Sequence, residues 1–146
     1  MNDLRAEGDD RGALDGSDRA ARMNELALQG LCCSQVMVRT ALEEDGAENE
    51  QLVQAAGALC FGMFAGGPCG ALTAGKIVMA LRASRPLDDA LATEFVEWFR
   101  NEYGSLECSG ILKGDPFARV LVCPNLVVRT YDAAMRILAD RGALIL

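Results

Sequence analysis

Histidine is absent from all 146 residues of the chain. Histidine is the commonest metal ligand in proteins and the usual general base near neutral pH. Its absence excludes a Ser-His-Asp catalytic set and every metal site that needs an imidazole. Metal or redox chemistry in this chain must therefore depend on sulfur, with carboxylates as a weaker alternative.

An excess of positive charge and long apolar runs are also lacking. The 14 Lys and Arg residues stand against 21 Asp and Glu, and the net charge of −7 argues against binding to nucleic acid or to an anionic membrane surface. The longest apolar stretch, residues 52–65, includes Gln54 and is too short to span a membrane. The net charge of −7 is ordinary for a soluble bacterial-type protein. The N-terminus shows no basic segment followed by an apolar one, so we expect no secretory signal and a location in the reducing cytoplasm.

The length of the chain predicts one domain with its own hydrophobic core. Residues 1–17 are rich in Asp, Gly, Arg and Glu and show no periodicity, so they are predicted to form a disordered acidic tail. Residues 18–146 carry helical patterns, and the apolar triplet 120–122 is too short to build a sheet alone. We therefore predict an all-α bundle of about six helices whose N-termini converge on a cysteine site.

Capping residues, glycines and prolines set the predicted helix ends. The fourth predicted helix consists almost entirely of small or apolar residues, which indicates a central, buried position. The predicted helices run from Ser17 or Asp18 to about Gln29, from Cys33 to about Glu44, from Glu48 to Cys60, from Cys69 to about Ala83, from Pro86 to Gly104, and from Cys123 to about Asp140.

Six cysteines are the most informative residues that the chain does contain. Cys33, Cys69 and Cys123 are predicted at helix starts, where partial positive charge favours a thiolate, and Cys108 lies in a loop flanked by Ser and Gly. Cys60 falls on an apolar helix and is interpreted as core, and Cys32 as a neighbour of unassigned role. In a reducing compartment such cysteines indicate metal binding or redox chemistry more than structural disulfides.

A glycine-rich stretch, residues 66–71, brings Cys69 to its predicted helix start. The small residues leave room either for a close helix crossing or for a cofactor, whose candidate contacts are Gly67, Gly70 and Ala71. The stretch lacks the preceding strand and the following Gly-Lys-Ser/Thr of a phosphate loop.

The order of these motifs resembles the C-GCAxxG-C-C family of small redox-active proteins. The resemblance rests on the segments 33–36, 66–73 and 99–104 and on the cysteines that follow, and it covers residues 24–140. The four cysteines of the family pattern correspond to Cys33, Cys69, Cys108 and Cys123. In the family's Cys-Gly-Ala-x-x-Gly element this chain has Ala74 at the last position and Gly75 one residue later. The resemblance implies a redox role and leaves the substrate open.

Three kinds of cysteine chemistry remain open. The first is an iron–sulfur cluster, most simply two-iron, held by the four motif cysteines; their spacings of 36, 39 and 15 residues require four separate elements to meet. The second is a cluster-free thiol–disulfide oxidoreductase in which Cys33 attacks and Cys69 or Cys32 resolves. The third is a non-enzymatic partner subunit whose cysteines are structural or bind zinc. Zinc is less favoured because structural zinc sites use closely spaced cysteine pairs.

The predicted role is that of an electron-transfer or redox-accessory protein more than of a stand-alone enzyme. We expect an unidentified redox partner protein, no nucleic acid and no membrane insertion. The apolar composition is compatible with a homodimer.

Overall fold

The computed structural model describes residues 16–145. This part of the chain forms seven α-helices and contains no strand, so the predicted all-α class is confirmed. The predicted acidic tail falls, up to residue 15, outside the described residues. The helices are α1 (Gly16–Leu28), α2 (Cys33–Glu44), α3 (Glu50–Ala56), α4 (Gly70–Arg82), α5 (Asp89–Tyr103), α6 (Cys108–Ile111) and α7 (Arg119–Asp140).

The core lies where α2, α4 and α7 pack together. Ala71 and Ala74 of α4 are completely buried, and so are Val78 and Met79. This confirms the central position predicted for α4. Among residues 16–145 no helix combines the length and the apolar character needed to cross a membrane.

The predicted ends of α1 and α2 are close to the observed ones. Gly30 follows α1 with a φ of 101° and Gly46 follows α2 with a φ of 67°. L-residues rarely adopt this left-handed conformation, and glycine adopts it without steric cost. The two glycines therefore end α1 and α2 as predicted.

The third predicted helix is shorter than expected. α3 ends at Ala56, and a single tighter turn continues it through residues 57–59. The chain then forms a left-handed turn, because Phe61, Gly62, Met63 and Phe64 have φ values of 56°, 62°, 61° and 59°. This conformation costs an L-residue about 1–2 kcal/mol. Contacts outside the turn must therefore hold it in place.

The prediction that Pro86 opens a helix is wrong. α5 begins at Asp89, because the Asp88 side chain accepts a hydrogen bond from the Leu91 N–H at 2.9 Å and so forms the N-cap. An N-cap carboxylate satisfies one of the four backbone N–H groups that a helix start leaves without an intrahelical partner. The predicted end of α5 is confirmed by Gly104, with a φ of 75°.

A buried ionic network connects four helices. Glu44 at the end of α2 accepts a hydrogen bond from the Tyr131 hydroxyl of α7 at 2.7 Å and one from Arg19 of α1 at 2.8 Å. Arg82 of α4 lies 3.7 Å from the same carboxylate. The Glu44 side chain is only 1% exposed, so these partners replace its lost water.

Candidate functional site: a four-thiol cluster

Two segments that are distant in sequence run side by side at one end of the bundle. The Cys69 N–H donates to the Leu106 carbonyl at 2.8 Å, and the Cys108 N–H donates to the Gly67 carbonyl at 2.6 Å. The Ser109 hydroxyl donates to the Gly66 carbonyl at 2.9 Å. These backbone links position Cys69, which caps α4, close to Cys108, which opens α6.

Gly70 allows Cys33 to join this pair. A Cβ atom at position 70 would lie 2.5 Å from the Cys33 sulfur and 3.0 Å from the Leu59 carbonyl oxygen. Only glycine lets α2 start this close to the start of α4. The small residue after Cys69 therefore serves the approach of a second thiol.

The fourth thiol is positioned differently from the prediction. Cys123 is not an N-cap, because α7 begins at Arg119, and Pro124 lies inside the helix. Proline at this position removes one backbone hydrogen bond to the preceding turn. The structure also differs from the prediction at Cys108, where the short helix α6 replaces the predicted loop. Three of the four cysteines do occupy helix starts, but the third is Cys108 instead of Cys123.

Mutual electrostatic effects connect the four thiols in pairs. Cys33 and Cys123 both raise the pKa of Cys69, and Cys108 raises the pKa of both Cys33 and Cys123. Each thiol thus lies near enough to another to disfavour a second negative charge. We call Cys33, Cys69, Cys108 and Cys123 the four-thiol site.

Burial dominates the acidity of these thiols. It raises the pKa of Cys69 to about 12 and that of Cys123 to about 11, and it also raises the pKa of Cys33 and Cys108. The Arg119 charge acts in the opposite direction on Cys108 and Cys123. The expectation that helix starts favour thiolates is therefore wrong for the metal-free site, because loss of water outweighs the helix termini.

Backbone N–H groups nevertheless point at two of the sulfurs. The Cys33 sulfur accepts hydrogen bonds from the N–H groups of Phe61 and Ser34, and the Cys69 sulfur accepts them from Ala71 and Leu72. Each of these bonds lowers the pKa of the thiol that accepts it. They favour negative charge on sulfur once a proton is removed.

The candidate cofactor contacts have distinct structural roles. Gly67 provides the carbonyl that Cys108 binds, Gly70 provides the space beside Cys33, and Ala71 provides an N–H to Cys69. Gly75, by contrast, lies under Phe95 of α5, whose Cζ atom would be 2.5 Å from an added Cβ. The close-approach explanation for the small residues therefore applies at Gly70 and Gly75, and a cofactor contact at Gly67, Gly70 or Ala71 stays a prediction.

The cysteines do not form a complete set of metal ligands in this conformation. Within residues 16–145 no three Cys, Asp or Glu side chains meet the geometry of a metal site. The donor chemistry still fits an iron–sulfur cluster, since the four motif cysteines are free thiols from four elements, with Cys69 buried and the other three half-buried.

The two remaining cysteines form a disulfide that the sequence reasoning missed. Cys32 and Cys60 are bonded, with their Cα atoms 6.0 Å apart. Cys60 is buried as predicted, at 4% exposure, but it is not a free core thiol. The sequence indicates a reducing compartment and therefore predicts no disulfide. The 28 residues that separate Cys32 from Cys60 give no sequence signal for a bond between them.

A family model covers most of the chain. The family, described as "Putative redox-active protein (C_GCAxxG_C_C)", matches residues 31–137. The chain belongs to the C-GCAxxG-C-C family. The match spans all four members of the four-thiol site and both disulfide cysteines. Neither the curated proteins nor the solved structures contain a match to this chain.

Proposed function

We propose that this C-GCAxxG-C-C protein binds an iron–sulfur cluster, most simply two-iron, on Cys33, Cys69, Cys108 and Cys123 and serves in electron transfer. The observation that carries the proposal is the mutual electrostatic proximity of four free thiols, placed at the starts of α2, α4 and α6 and within α7, in a chain without histidine. Four thiolates are the ligand set that such clusters use, and the cluster supplies one-electron chemistry when bound.

The chain's own residues set the pKa values of the four thiols and provide N–H groups near two of the sulfurs. The raised pKa values keep the thiols protonated near neutral pH, so cluster binding must release protons and becomes weaker as the pH falls. The N–H groups of Phe61 and Ala71 are positioned to stabilise negative charge on Cys33 and Cys69. Hydrogen bonds of this kind tune cluster potentials.

Access for a redox partner is greatest at Cys108. This half-buried residue lines a cavity of about 300 Å³, together with Phe61, Phe64 and Arg119. Cys69, by contrast, is 7% exposed. We therefore place the route of electrons between the site and a partner at Cys108.

Anaerobic purification from iron-replete cells tests the proposal. We expect a coloured protein with about stoichiometric iron and acid-labile sulfide, lost when any of the four motif cysteines is replaced by Ser. Thr40→Ala is the control, because Thr40 is a buried residue of α2 whose hydroxyl donates to the Val36 carbonyl and not to a sulfur, and this variant should retain iron. A colourless, iron-free wild-type protein contradicts the proposal.

The disulfide between Cys32 and Cys60 favours a second candidate, a cluster-free thiol–disulfide oxidoreductase. The raised pKa values of Cys33 and Cys69 weigh against it, because a protonated thiol is a poor nucleophile. The same preparation separates the candidates. The oxidoreductase predicts no metal and a reversible two-thiol titration that Cys33→Ser abolishes, whereas a zinc-bound subunit predicts zinc by elemental analysis.

A further inference from the structure

Cys32 and Cys60 lie outside the four-thiol site but are connected to it on both sides. Cys32 directly precedes Cys33, and Cys60 directly precedes Phe61, whose N–H donates to the Cys33 sulfur. A change at the disulfide therefore acts on the position of Cys33 and on one of its hydrogen-bond donors.

The two cysteines of the pair differ in their exposure to solvent. Cys32 is half-buried at the N-cap of α2, and Cys60 is buried. Cys32 is therefore the more accessible cysteine of the pair, and an external thiolate is expected to attack there and not at Cys60. This asymmetry is the arrangement that thiol–disulfide exchange requires, since the outcome depends on which sulfur is accessible.

The buried hydroxyl of Ser34 lies close to both sulfurs of the disulfide. The Ser34 oxygen lies 3.3 Å from the Cys32 sulfur and 3.4 Å from the Cys60 sulfur, and it donates to the Ala56 carbonyl at 2.7 Å. In the disulfide neither sulfur carries a proton to donate. After reduction the Cys60 thiol can donate to Ser34, so the reduced pair is not left without a partner.

The disulfide also anchors the strained segment that follows it. Phe61, Met63 and Phe64 hold left-handed conformations directly after Cys60, and their side chains are exposed. Once the bond to Cys32 is broken, the segment can relax towards ordinary backbone angles. That relaxation withdraws the Phe61 N–H from Cys33.

We propose that Cys32 and Cys60 form a second redox site, a dithiol–disulfide pair distinct from the four-thiol site, whose reduction by a dithiol releases residues 61–66 from Cys33. One thiolate of the dithiol attacks the Cys32 sulfur, the bond to Cys60 breaks, and Cys60 leaves and takes up a proton. The second thiol of the dithiol then displaces Cys32, which also leaves as a thiol. Two electrons and two protons enter the pair, and the dithiol becomes a disulfide.

Redox titration of the full chain tests the first part. The chain is held with a chelator in buffers of reduced and oxidised dithiothreitol, alkylated, and analysed by peptide mass spectrometry. We expect Cys32 and Cys60 to titrate together as one two-electron couple in the folded protein. If the disulfide resists dithiothreitol until the chain unfolds, it is a structural staple and the proposal is overturned.

Hydrogen exchange on the same samples tests the second part. Reduction should raise exchange in residues 61–66 by at least about tenfold and leave α5 unchanged. Equal exchange in both redox states overturns the release of the segment. Because the chelated chain is used, these results are independent of whether the four-thiol site binds a cluster.

Ser34→Ala tests the positioning role of the hydroxyl. It should shift the dithiothreitol equilibrium about three- to tenfold towards the disulfide, because only the reduced pair uses the Ser34 oxygen. Thr40→Ala is the control, since Thr40 is another buried hydroxyl of α2 that donates to a carbonyl and contacts no sulfur. An equal effect of both substitutions contradicts a specific role for Ser34.

Discussion

At the scale of single residues, solvent exclusion decides the chemistry of the thiols. The sequence predicts thiolates at helix starts, yet burial is the largest cause of the raised pKa at each of the four cysteines. A helix terminus changes a local free energy by about 0.3–1 kcal/mol, which is less than the cost of burying a charge. Burial depends on tertiary neighbours, so no single-sequence argument could supply it.

The pH dependence of alkylation checks this conclusion for the metal-free, chelated protein. Cys69, with a pKa of about 12, should react with iodoacetamide slowly at pH 8 and still accelerate above pH 10. Cys108 should react faster at pH 8, because it is more exposed and Arg119 counteracts the effect of burial. Peptide mass spectrometry measures both rates, and a Cys69 rate that levels off below pH 9 would contradict the assignment.

The raised thiol pKa values also make the stability of the folded chain depend on pH, so that it falls in alkaline solution. A thiol whose pKa is higher in the folded than in the unfolded chain contributes stability below the unfolded value, and this contribution is lost as the pH rises through the folded value. For Cys69 and Cys123 the loss begins near the ordinary value of 9 and extends to about 12 and 11. The metal-free site therefore becomes less stable in alkaline solution.

At the scale of elements, two glycines of α4 allow close contacts with two different neighbouring helices. Its first residue, Gly70, admits the Cys33 sulfur, and Gly75 admits the ring of Phe95 from α5. From the sequence both glycines could belong either to a cofactor site or to a helix crossing. Only the positions of α2 and α5 assign each glycine to its neighbour.

Paired substitutions distinguish these two tasks. Gly70→Ala and Gly75→Ala each place a Cβ 2.5 Å from a neighbouring atom, so each should cost about 1–3 kcal/mol of unfolding free energy. Gly70→Ala should in addition lower the iron-to-protein ratio of the folded protein, because it displaces Cys33. Gly75→Ala should not change that ratio. Urea denaturation and iron analysis give the two readouts, and equal iron loss in both variants contradicts the division.

Helix boundaries show where sequence signals compete. Gly30, Gly46 and Gly104 end helices as predicted, because their left-handed φ values exclude most other residues. Pro86 and Pro124 are predicted to lie in the first turns of helices, and neither does. Proline is tolerated in a first turn, but its presence does not mean that a helix begins there. Asp88 and the turn at residues 116–118 set the actual starts of α5 and α7.

At the scale of the whole molecule, Glu44 links α1, α2, α4 and α7. Its neighbour Glu43 is half-exposed and pairs with Arg22 at 2.7 Å. The sequence shows only two adjacent glutamates at a helix end. Which of them faces the core depends on how the four helices are arranged.

The contrast between the two glutamates gives a stability prediction. Glu44→Ala should lower the free energy of unfolding by about 3 kcal/mol, since it leaves Arg19 and Tyr131 without a buried partner. Glu43→Ala should cost less than about 1 kcal/mol, as is usual for a solvated ion pair. Urea denaturation measures both values. A Glu44→Ala variant no less stable than Glu43→Ala would contradict the role of the network.

The sequence by itself determined the all-α class, the central position of α4 and the four cysteines of the family pattern, because periodicity, stop signals and motif order are local properties of the chain. Tertiary structure alone decided the bond between Cys32 and Cys60, the reason for Gly70 beside Cys33, and the protonation of the thiols. These features depend on which groups meet in space and how much water they lose. Absence of histidine limits the site to sulfur, and the packing of four elements brings those sulfurs together.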